Sequence, residues 1–201
     1  MPELNIPPQS DPLAVMGQWL AEAVAQIADN PDAACLATAD GDGMPDARYV
    51  LVKRIDHNGA HFFTNRDSAK GRQLQDRQQA ALAFYWREQG RQLRCRGSVF
   101  ELERGQVAAY FATRSRPSRI GAWASRQSRP LASIEQLQEA CRIADAQYPG
   151  DEVPLPDHWT GFCLVPGQIE FWQEGEHRLH ERIRFWRAAE SAAWQCERLY
   201  P

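Results

Sequence analysis

A β-hairpin signal in the first third of the chain constrains the fold most strongly. Residues 47–55 alternate between two faces, Asn58-Gly59 follows, and an apolar run returns over residues 60–65. Asn-Gly between two such runs is typical of a tight turn joining antiparallel strands. The sequence therefore predicts an antiparallel pair, and hairpin spacing of this kind argues against a doubly wound parallel sheet.

Short runs with turn signals between them recur along the chain. We expect further strands at residues 33–39, 80–86, 91–103, 161–165, 168–172, 178–185 and 193–199. Helices are predicted at residues 11–28, 68–77, 106–113 and 133–146, and residues 114–129 are interpreted as a loop with a turn or two of helix. This order predicts an α+β protein, a β-barrel of mostly antiparallel strands with peripheral helices.

The composition indicates one domain over residues 1–201, with the polar, Pro-rich residues 1–10 flexible. The chain has 201 residues, 43% of them hydrophobic, which is enough for a single core. A net charge of −3 argues against a basic nucleic-acid-binding surface. We find no signal peptide and no run of about 18 apolar residues, so we expect a cytoplasmic protein without a membrane span.

Cysteine and histidine spacing gives no metal motif. The five cysteines form no CxxC pair and are interpreted as reduced thiols. His177 and His180 are three residues apart, but no third ligand of clear spacing lies nearby. We therefore expect no metal site.

The stretch from Trp172 to Arg182 is unusually rich in cationic groups. If residues 178–184 form a strand, Arg178, His180, Arg182 and Arg184 share one face and repel each other. The strand rise places Arg178 and Arg182 roughly 13 Å apart, a spacing that suits two neighbouring anionic ligands. A solvated basic edge strand is the alternative for this stretch taken alone.

Two segments in the first half of the chain could bind phosphate. Arg48 and Lys53 are five residues apart and face opposite sides of a regular strand, so ordinary surface cations are the alternative. Ser68 and Lys70 lie at a predicted helix N-terminus, where free N–H groups and the helix dipole favour an anion. Ser68 acting as a plain helix cap is the alternative there.

A third segment lies in the Arg-rich loop. Arg114 and Ser118 could hold a second phosphate with Tyr110 packed beside it, because the guanidinium fork suits bidentate phosphate binding. Such loops can also simply be solvated.

Together these segments closely resemble the pyridoxamine 5′-phosphate oxidase (pyridoxine 5′-phosphate oxidase) family, from about Asp11 to Pro201. The most specific motifs are RYVLVK at 48–53, RIGAWASRQS at 119–128 and QIEFWQEGEHRLHER at 168–182. The resemblance implies an FMN-binding split β-barrel that works as a homodimer, with two flavin sites at the subunit interface. It also implies oxidation of pyridoxine 5′-phosphate or pyridoxamine 5′-phosphate to pyridoxal 5′-phosphate, with O2 as electron acceptor and H2O2 as a product.

The resemblance assigns roles to residues that match the family motifs. The implied FMN contacts are Arg48, Tyr49, Val50, Leu51, Val52, Lys53, Phe63, Thr64, Lys70, Gln92, Gln127, Ser128, Trp172 and Arg182. The implied contacts to the substrate phosphate are Lys53, Tyr110, Arg114 and Ser118. Arg178 and His180 are the implied catalytic residues, which orient the substrate ring and handle the proton leaving its C4′ group.

One position departs from the family pattern in a way that bears on the cofactor. Ala69 stands where the family usually has an Arg that grips the FMN phosphate. Weaker FMN binding is expected, unless Arg66 or Arg72 substitutes.

Three other functions are compatible with parts of this pattern. One is a related FMN oxidase of another ring system, such as a phenazine-pathway intermediate, which would not need a phosphate grip on its substrate. The others are a non-catalytic split-barrel protein that binds flavin or haem, and a pyridoxal phosphate carrier without turnover. The joint presence of Lys53, Tyr110, Arg114 and Ser118 favours the phosphate-dependent oxidase.

Overall fold

Antiparallel strands dominate the computed structural model, which describes residues 4–201. The strands within these residues are β1 Ala33–Ala39, β2 Pro45–Asp56, β3 Gly59–Asn65, β4 Gln79–Trp86, β5 Arg91–Glu101, β6 Trp159–Gln173, β7 Glu181–Trp186 and β8 Gln195–Leu199. The α-helices are α1 Pro12–Gln26, α2 Ala69–Asp76, α3 Arg104–Thr113, α4 Arg116–Ala124 and α5 Ile134–Gln147. None of these helices combines the length and apolarity needed to cross a bilayer.

Six of the strands close into a barrel. The sheet order is β3-β2-β1-β4-β5-β6-β7-β8, and β3 also pairs with β6, so β7 and β8 extend the sheet outside the closed part. Every pairing is antiparallel, and the β2–β3 pair is the one predicted from Asn58-Gly59. The predicted α+β architecture, an antiparallel barrel with peripheral helices, is confirmed.

The barrel interior is filled by alternate residues of the strands, as the period of two requires. Phe62, Phe84 and Phe171 are among its largest fully buried side chains. Helix α1 packs against this core, with the Trp19 ring centroid 5.0 Å from that of Phe171. Residues 1–10 were expected to be flexible; the part described, residues 4–10, buries two side chains, among them that of Leu4.

Strand β6 is longer than the sequence suggests. Residues 161–165 and 168–172 were predicted as separate strands, because Pro166-Gly167 resembles a break. The strand instead runs through this dipeptide, and its pairing with β5 shifts register between Arg96 and Gly97. A Cβ at Gly97 would lie 2.0 Å from the Val165 carbonyl oxygen, so only glycine permits this approach. A bulge of this kind is where a strand tolerates proline.

The prediction that residues 178–180 belong to a strand is wrong. Residues Glu176–Arg178 form a 3₁₀ turn in which His177 and Arg178 have φ values of 54° and 64°. A Cβ at Gly175 would lie 2.0 Å from the Leu179 carbonyl oxygen, so the chain folds back tightly. Strand β7 begins only at Glu181, and the strand-based spacing of about 13 Å between Arg178 and Arg182 does not apply.

The loop predicted at residues 114–129 contains more helix than expected. Helix α4 spans nine residues and has Pro117 in its first turn, a position where proline is favourable. The Arg116 side chain joins α4 to the end of α5, since Nε donates to the Gly150 carbonyl at 2.6 Å and Nη2 to the Tyr148 carbonyl at 2.8 Å. These bonds hold α4 and the end of α5 together.

Candidate active site

A cleft of about 580 Å³ lies between the barrel and helices α3 and α4. Eight residues predicted to bind FMN or substrate line it: Leu51, Lys53, Phe63, Thr64, Tyr110, Arg114, Ser118 and Gln127. Six further residues line it, none of which was assigned a role from the sequence: Asn65, Ser115, Gly121, Ala122, Ser125 and Trp159. The fold thus brings residues from the first and third predicted segments together in one place, with Thr64 of β3 beside them.

Stacked aromatic rings form one wall of the cleft. The Phe63 ring lies 4.0 Å from Tyr110 and 5.5 Å from Trp159, centroid to centroid, with the planes nearly parallel. The Arg114 guanidinium sits 4.9 Å above the Trp159 ring, a cation–π contact. Trp159 was not predicted, because the sequence does not distinguish an aromatic residue that lines a cleft from one that packs in the core.

Within residues 4–201, Arg114 is a cation without an anionic partner. Its Nη1 is buried and has no hydrogen-bond partner, and burial lowers its pKa. A buried donor left unsatisfied is costly, so this position favours an anionic ligand that accepts its N–H groups. Ser118 lies in the same part of the cleft, with its Oγ 2.8 Å from that of Ser115.

Lys53 differs from Arg114, since it already has a carboxylate partner. Its Nζ lies 2.6 Å from Asp32 Oδ2, and both side chains are partly exposed. Lys53 and Arg48 project from opposite faces of β2, as predicted: Val50 and Val52 on the Arg48 face are buried, whereas Lys53 is on the exposed face. An anion that binds Lys53 would share it with Asp32.

Lys70 forms a second cationic position next to the cleft. Its Nζ lies 3.4 Å from Thr64 Oγ1 and 3.3 Å from Gln127 Oε1, and within residues 4–201 no ion pair links it to a carboxylate. Burial, and then the charge of Arg48, lower its pKa. A buried ammonium group with only neutral oxygen partners is well suited to a phosphate.

Arg48 and Ser68 are already engaged in local contacts. Arg48 forms an ion pair with Asp46, and its Nη2 donates to Gln73 Oε1 at 3.0 Å. Ser68 caps α2 by accepting a hydrogen bond from the Gly71 backbone N–H at 3.2 Å. The plain helix cap proposed as the alternative for Ser68 is therefore present, and Lys70 is the more available group of that segment.

Neither arginine suggested as a substitute at position 69 is free. Arg66 pairs with Glu101 on β5, and the Arg72 guanidinium donates to the backbone carbonyl of Asp67. Both side chains are thereby held in contacts of their own.

Tyr49 and Leu51 place apolar surface beside the cleft. Tyr49 is 76% exposed and Leu51 41%, while the intervening Val50 is buried. Large exposed apolar side chains on a regular strand indicate a surface that a ligand or another subunit covers.

The remaining predicted residues form a row across β5, β6 and β7. Gln92 pairs with Trp172, and Trp172 pairs with Arg182. His180 lies over the Trp172 ring at 4.6 Å, and its Nδ1 accepts a hydrogen bond from the Gly175 backbone N–H at 3.2 Å. The tight turn thus positions the imidazole beside the row.

The cations on β7 are not left to repel each other. Arg182 pairs with Glu170, and Arg184 pairs with Glu197. The repulsion expected along this face is therefore offset, because acids on the adjacent strands β6 and β8 pair with both arginines. Arg178 has no such partner among the ion pairs found in residues 4–201.

Within one chain this row and the cleft are separate. Trp159 lines the cleft and Trp172 belongs to the row. Thirteen residue steps along β6 separate them, which corresponds to about 43 Å in a straight extended strand. None of Gln92, Trp172, Arg178, His180 and Arg182 lines the cleft. Ser128, with φ 68°, lines a neighbouring hollow beside α5. No three His, Cys, Asp or Glu side chains in residues 4–201 form a group that could hold a metal.

Two family profiles together match most of the chain. Residues 20–141 match the pyridoxamine 5′-phosphate oxidase profile, and residues 159–201 match the pyridoxine 5′-phosphate oxidase C-terminal dimerisation region. Relatives named pyridoxine/pyridoxamine 5′-phosphate oxidase include that of Azorhizobium caulinodans, 47% identical over 95% of this chain and 90% of its own length. That of Maricaulis maris is 46% identical over 96% of this chain and 87% of its own length.

Solved structures share the fold. PhzG from Burkholderia lata 383, solved with tetrahydrophenazine-1-carboxylic acid, is 33% identical, with a TM-score of 0.89 over 96% of this chain and 94% of its own. A pyridoxamine 5′-phosphate oxidase-related, FMN-binding protein from Nostoc punctiforme PCC 73102 is 18% identical, with a TM-score of 0.75 over 94% of this chain and 96% of its own. The second likeness supports the split-barrel fold alone.

Proposed function

Because the chain belongs to the pyridoxamine 5′-phosphate oxidase family of oxidoreductases, we propose that it oxidises pyridoxine 5′-phosphate or pyridoxamine 5′-phosphate to pyridoxal 5′-phosphate. FMN is the proposed cofactor, and O2 the electron acceptor that is reduced to H2O2. The amine substrate would also release ammonia.

The observation that carries this proposal is the unpaired cation in the cleft. Arg114 presents a buried N–H group that has no partner in the described part of the chain, and Lys53, Tyr110 and Ser118 line the same cleft. A phosphate ester would satisfy the guanidinium and place the ring of the substrate against the aromatic wall. A carrier or sensor of an uncharged ligand would not need this arrangement.

The residues around Lys70 suit the phosphate of FMN. The ammonium group is buried beside Thr64 and Gln127 without a carboxylate partner, so an anion there would relieve its desolvation. Bound FMN would supply the hydride acceptor that no protein side chain provides. The chain's own contribution is to hold both ligands in place, and such positioning alone can be worth on the order of 7 kcal/mol or more.

A second copy of the chain would complete the site. The row Gln92–Trp172–Arg182 and the residues Arg178 and His180 are distant from the cleft in one chain, and they lie in or next to the segment that matches a dimerisation region. We propose that in a homodimer each subunit places this group over the cleft of the other. The exposed Tyr49 and Leu51 beside the cleft are consistent with such covering.

The contacts of His180 suggest how the catalytic pair divides its work. Its Nδ1 accepts a hydrogen bond from Gly175, which assigns the proton of the neutral ring to Nε2. In that form Nε2–H donates to the substrate, so His180 orients the substrate rather than removing its proton. Arg178 would hold the substrate ring through its planar N–H donors, and the proton released as the hydride leaves C4′ would pass to solvent water in the cleft.

Turnover with defined substrates tests the proposal. FMN-loaded protein in air should form pyridoxal 5′-phosphate and H2O2 in equal amounts from pyridoxine 5′-phosphate. Unphosphorylated pyridoxine serves as the control and should react far more slowly, because it cannot satisfy Arg114. Equal rates with both compounds, or no aldehyde from any phosphorylated substrate, would refute it.

A phenazine-type substrate is the second candidate, because PhzG shares the fold at 33% identity. The tetrahydrophenazine-1-carboxylic acid in that structure carries a carboxylate, which an arginine could also bind. Competition distinguishes the two: pyridoxine 5′-phosphate should be oxidised in preference to tetrahydrophenazine-1-carboxylic acid when both are present. The opposite preference would assign the chain to the phenazine-type oxidases.

A further inference from the structure

Glu170 occupies an unusual position for a carboxylate. It lies on β6 two residues before Trp172, on the same outward face of the sheet, yet only 4% of its surface is exposed. One oxygen, Oε1, accepts from Arg182 Nε at 2.9 Å and lies 2.8 Å from Arg182 Nη2. The other, Oε2, lies 2.5 Å from Arg94 Nη2. Buried charges are costly unless paired in this way, so the arrangement needs an explanation.

These contacts fix the direction of the Arg182 guanidinium. Besides the two bonds to Glu170, Arg182 Nη1 donates to the Tyr200 backbone carbonyl at 2.9 Å. A guanidinium has five N–H donors in one plane, so three contacts from two directions leave it no freedom to turn. About two N–H donors remain for another acceptor.

The charges of the group leave Arg182 an effective cation. Arg94 pairs with the second oxygen of Glu170, so one carboxylate is shared by two arginines and the group keeps a net positive charge. If Arg182 were the only partner of Glu170, the pair would carry no net charge. The arrangement therefore fixes the guanidinium and keeps its charge.

We propose that Glu170 is the positioning residue for Arg182, holding its guanidinium in the direction from which the remaining N–H groups bind the flavin. This inference rests on the proposed function, because it takes Arg182 to be an FMN contact. Glu170 itself touches no ligand and acts only through Arg182.

The chain contains a matched control for this pair. Arg184 lies two residues beyond Arg182 on β7 and faces the same side. It pairs with Glu197 on β8, with Nε donating to Oε1 at 2.8 Å. Glu197→Gln thus disrupts an equivalent pair one step along the strand, away from the row that includes Trp172.

The experiment measures the FMN dissociation constant of the apoprotein by quenching of flavin fluorescence, with the circular dichroism of bound flavin as a second signal. Glu170→Gln should weaken FMN binding by about tenfold and change the dichroism. Without the carboxylate the Arg182 guanidinium is no longer held toward the flavin, and its charge-assisted hydrogen bond to the flavin is lost. Glu197→Gln should stay within about twofold of the unmodified chain. Glu170→Asp, which keeps the charge, should recover part of the lost affinity.

A double variant separates positioning from general destabilisation. Arg182→Ala should weaken FMN binding, and adding Glu170→Gln to it should weaken binding no further, because Glu170 acts only through Arg182. Additive losses, or an unchanged dissociation constant in both Glu170 variants while Arg182→Ala binds weakly, would overturn the inference. Full affinity in Arg182→Ala would instead show that Arg182 is not an FMN contact, and the inference would fall together with that assignment.

Discussion

Replacing Lys70 by Met should weaken FMN binding and at the same time stabilise the apoprotein. The ammonium group is buried, and within residues 4–201 its hydrogen-bond partners are the neutral Thr64 and Gln127, so in the apoprotein its desolvation is poorly compensated. Methionine has a similar length and no charge. The two effects have opposite signs, because the buried charge destabilises the apoprotein but contributes to FMN affinity when the phosphate is bound.

The contacts of Lys70 indicate how large the changes in FMN affinity and in apoprotein stability should be. Loss of one charge-assisted hydrogen bond to a phosphate corresponds to about 1.5–3 kcal/mol, which raises the dissociation constant roughly 10- to 150-fold. Removal of the poorly satisfied ammonium should raise the free energy of unfolding of the apoprotein by about 1 kcal/mol. FMN titration and thermal unfolding of the apoprotein measure these two quantities separately.

Lys53→Met is the matched control, because Lys53 is the only other lysine in the chain. Its ammonium pairs with Asp32 and is proposed to bind the substrate phosphate. We expect its replacement to raise KM for pyridoxine 5′-phosphate and to lower FMN affinity much less than Lys70→Met does, because the Lys53 ammonium already pairs with Asp32. Unchanged FMN affinity in Lys70→Met, or equal losses of FMN affinity in both variants, would refute the placement of the flavin phosphate.

The pH dependence of FMN binding provides an independent check on Lys70. Burial lowers the pKa of the free protein's Lys70, and a bound phosphate would raise it again. The protonated form binds, so affinity should fall as pH rises through the lowered pKa, below the ordinary lysine value of about 10.4. The step should be absent from Lys70→Met; its persistence there would assign it to another group.

Three further variants test other parts of the site. Arg178→Ala should reduce kcat by about a hundredfold and spare FMN affinity, since it is proposed to act on the substrate; steady-state kinetics with normal turnover would contradict that role. Ala69→Arg should tighten FMN binding by about tenfold in the same titration, and no gain would mean that position 69 does not reach the phosphate. Gly175→Ala should lower the free energy of unfolding by about 2–3 kcal/mol in thermal unfolding, because its Cβ would lie 2.0 Å from the Leu179 carbonyl oxygen. Gly105→Ala is the control and should not destabilise the protein, because the new methyl group in α3 would meet no other atom.

Local patterns were sufficient to predict most of the barrel. Alternation over residues 47–55 and the Asn58-Gly59 turn predicted the β2–β3 hairpin, because one buried face and a tight turn are both local properties. The continuity of β6 could not be predicted in this way. Whether Pro166 ends a strand depends on the bulge that Gly97 forms on the neighbouring strand.

Eight of the residues that line the cleft were named from the sequence, but their contacts were not predicted. Motif matching named Arg114 and Lys70, but only the fold shows that neither has a carboxylate partner within residues 4–201. The turn after Gly175 places Arg178 outside β7. It was not predicted, because His177 and Arg178 adopt left-handed conformations that the sequence does not signal at residues other than glycine. The partner of Arg182, Glu170, was missed for a similar reason: the pairing runs between strands and depends on register.

The most direct test of the central claim is the visible spectrum of FMN-loaded, desalted protein before and after anaerobic addition of pyridoxine 5′-phosphate. The account predicts that the yellow flavin band is retained after desalting, bleaches on addition of the substrate, and returns when air is admitted. A retained flavin band that does not bleach with either pyridoxine 5′-phosphate or pyridoxamine 5′-phosphate would contradict the proposed oxidation while leaving the fold and the flavin site intact.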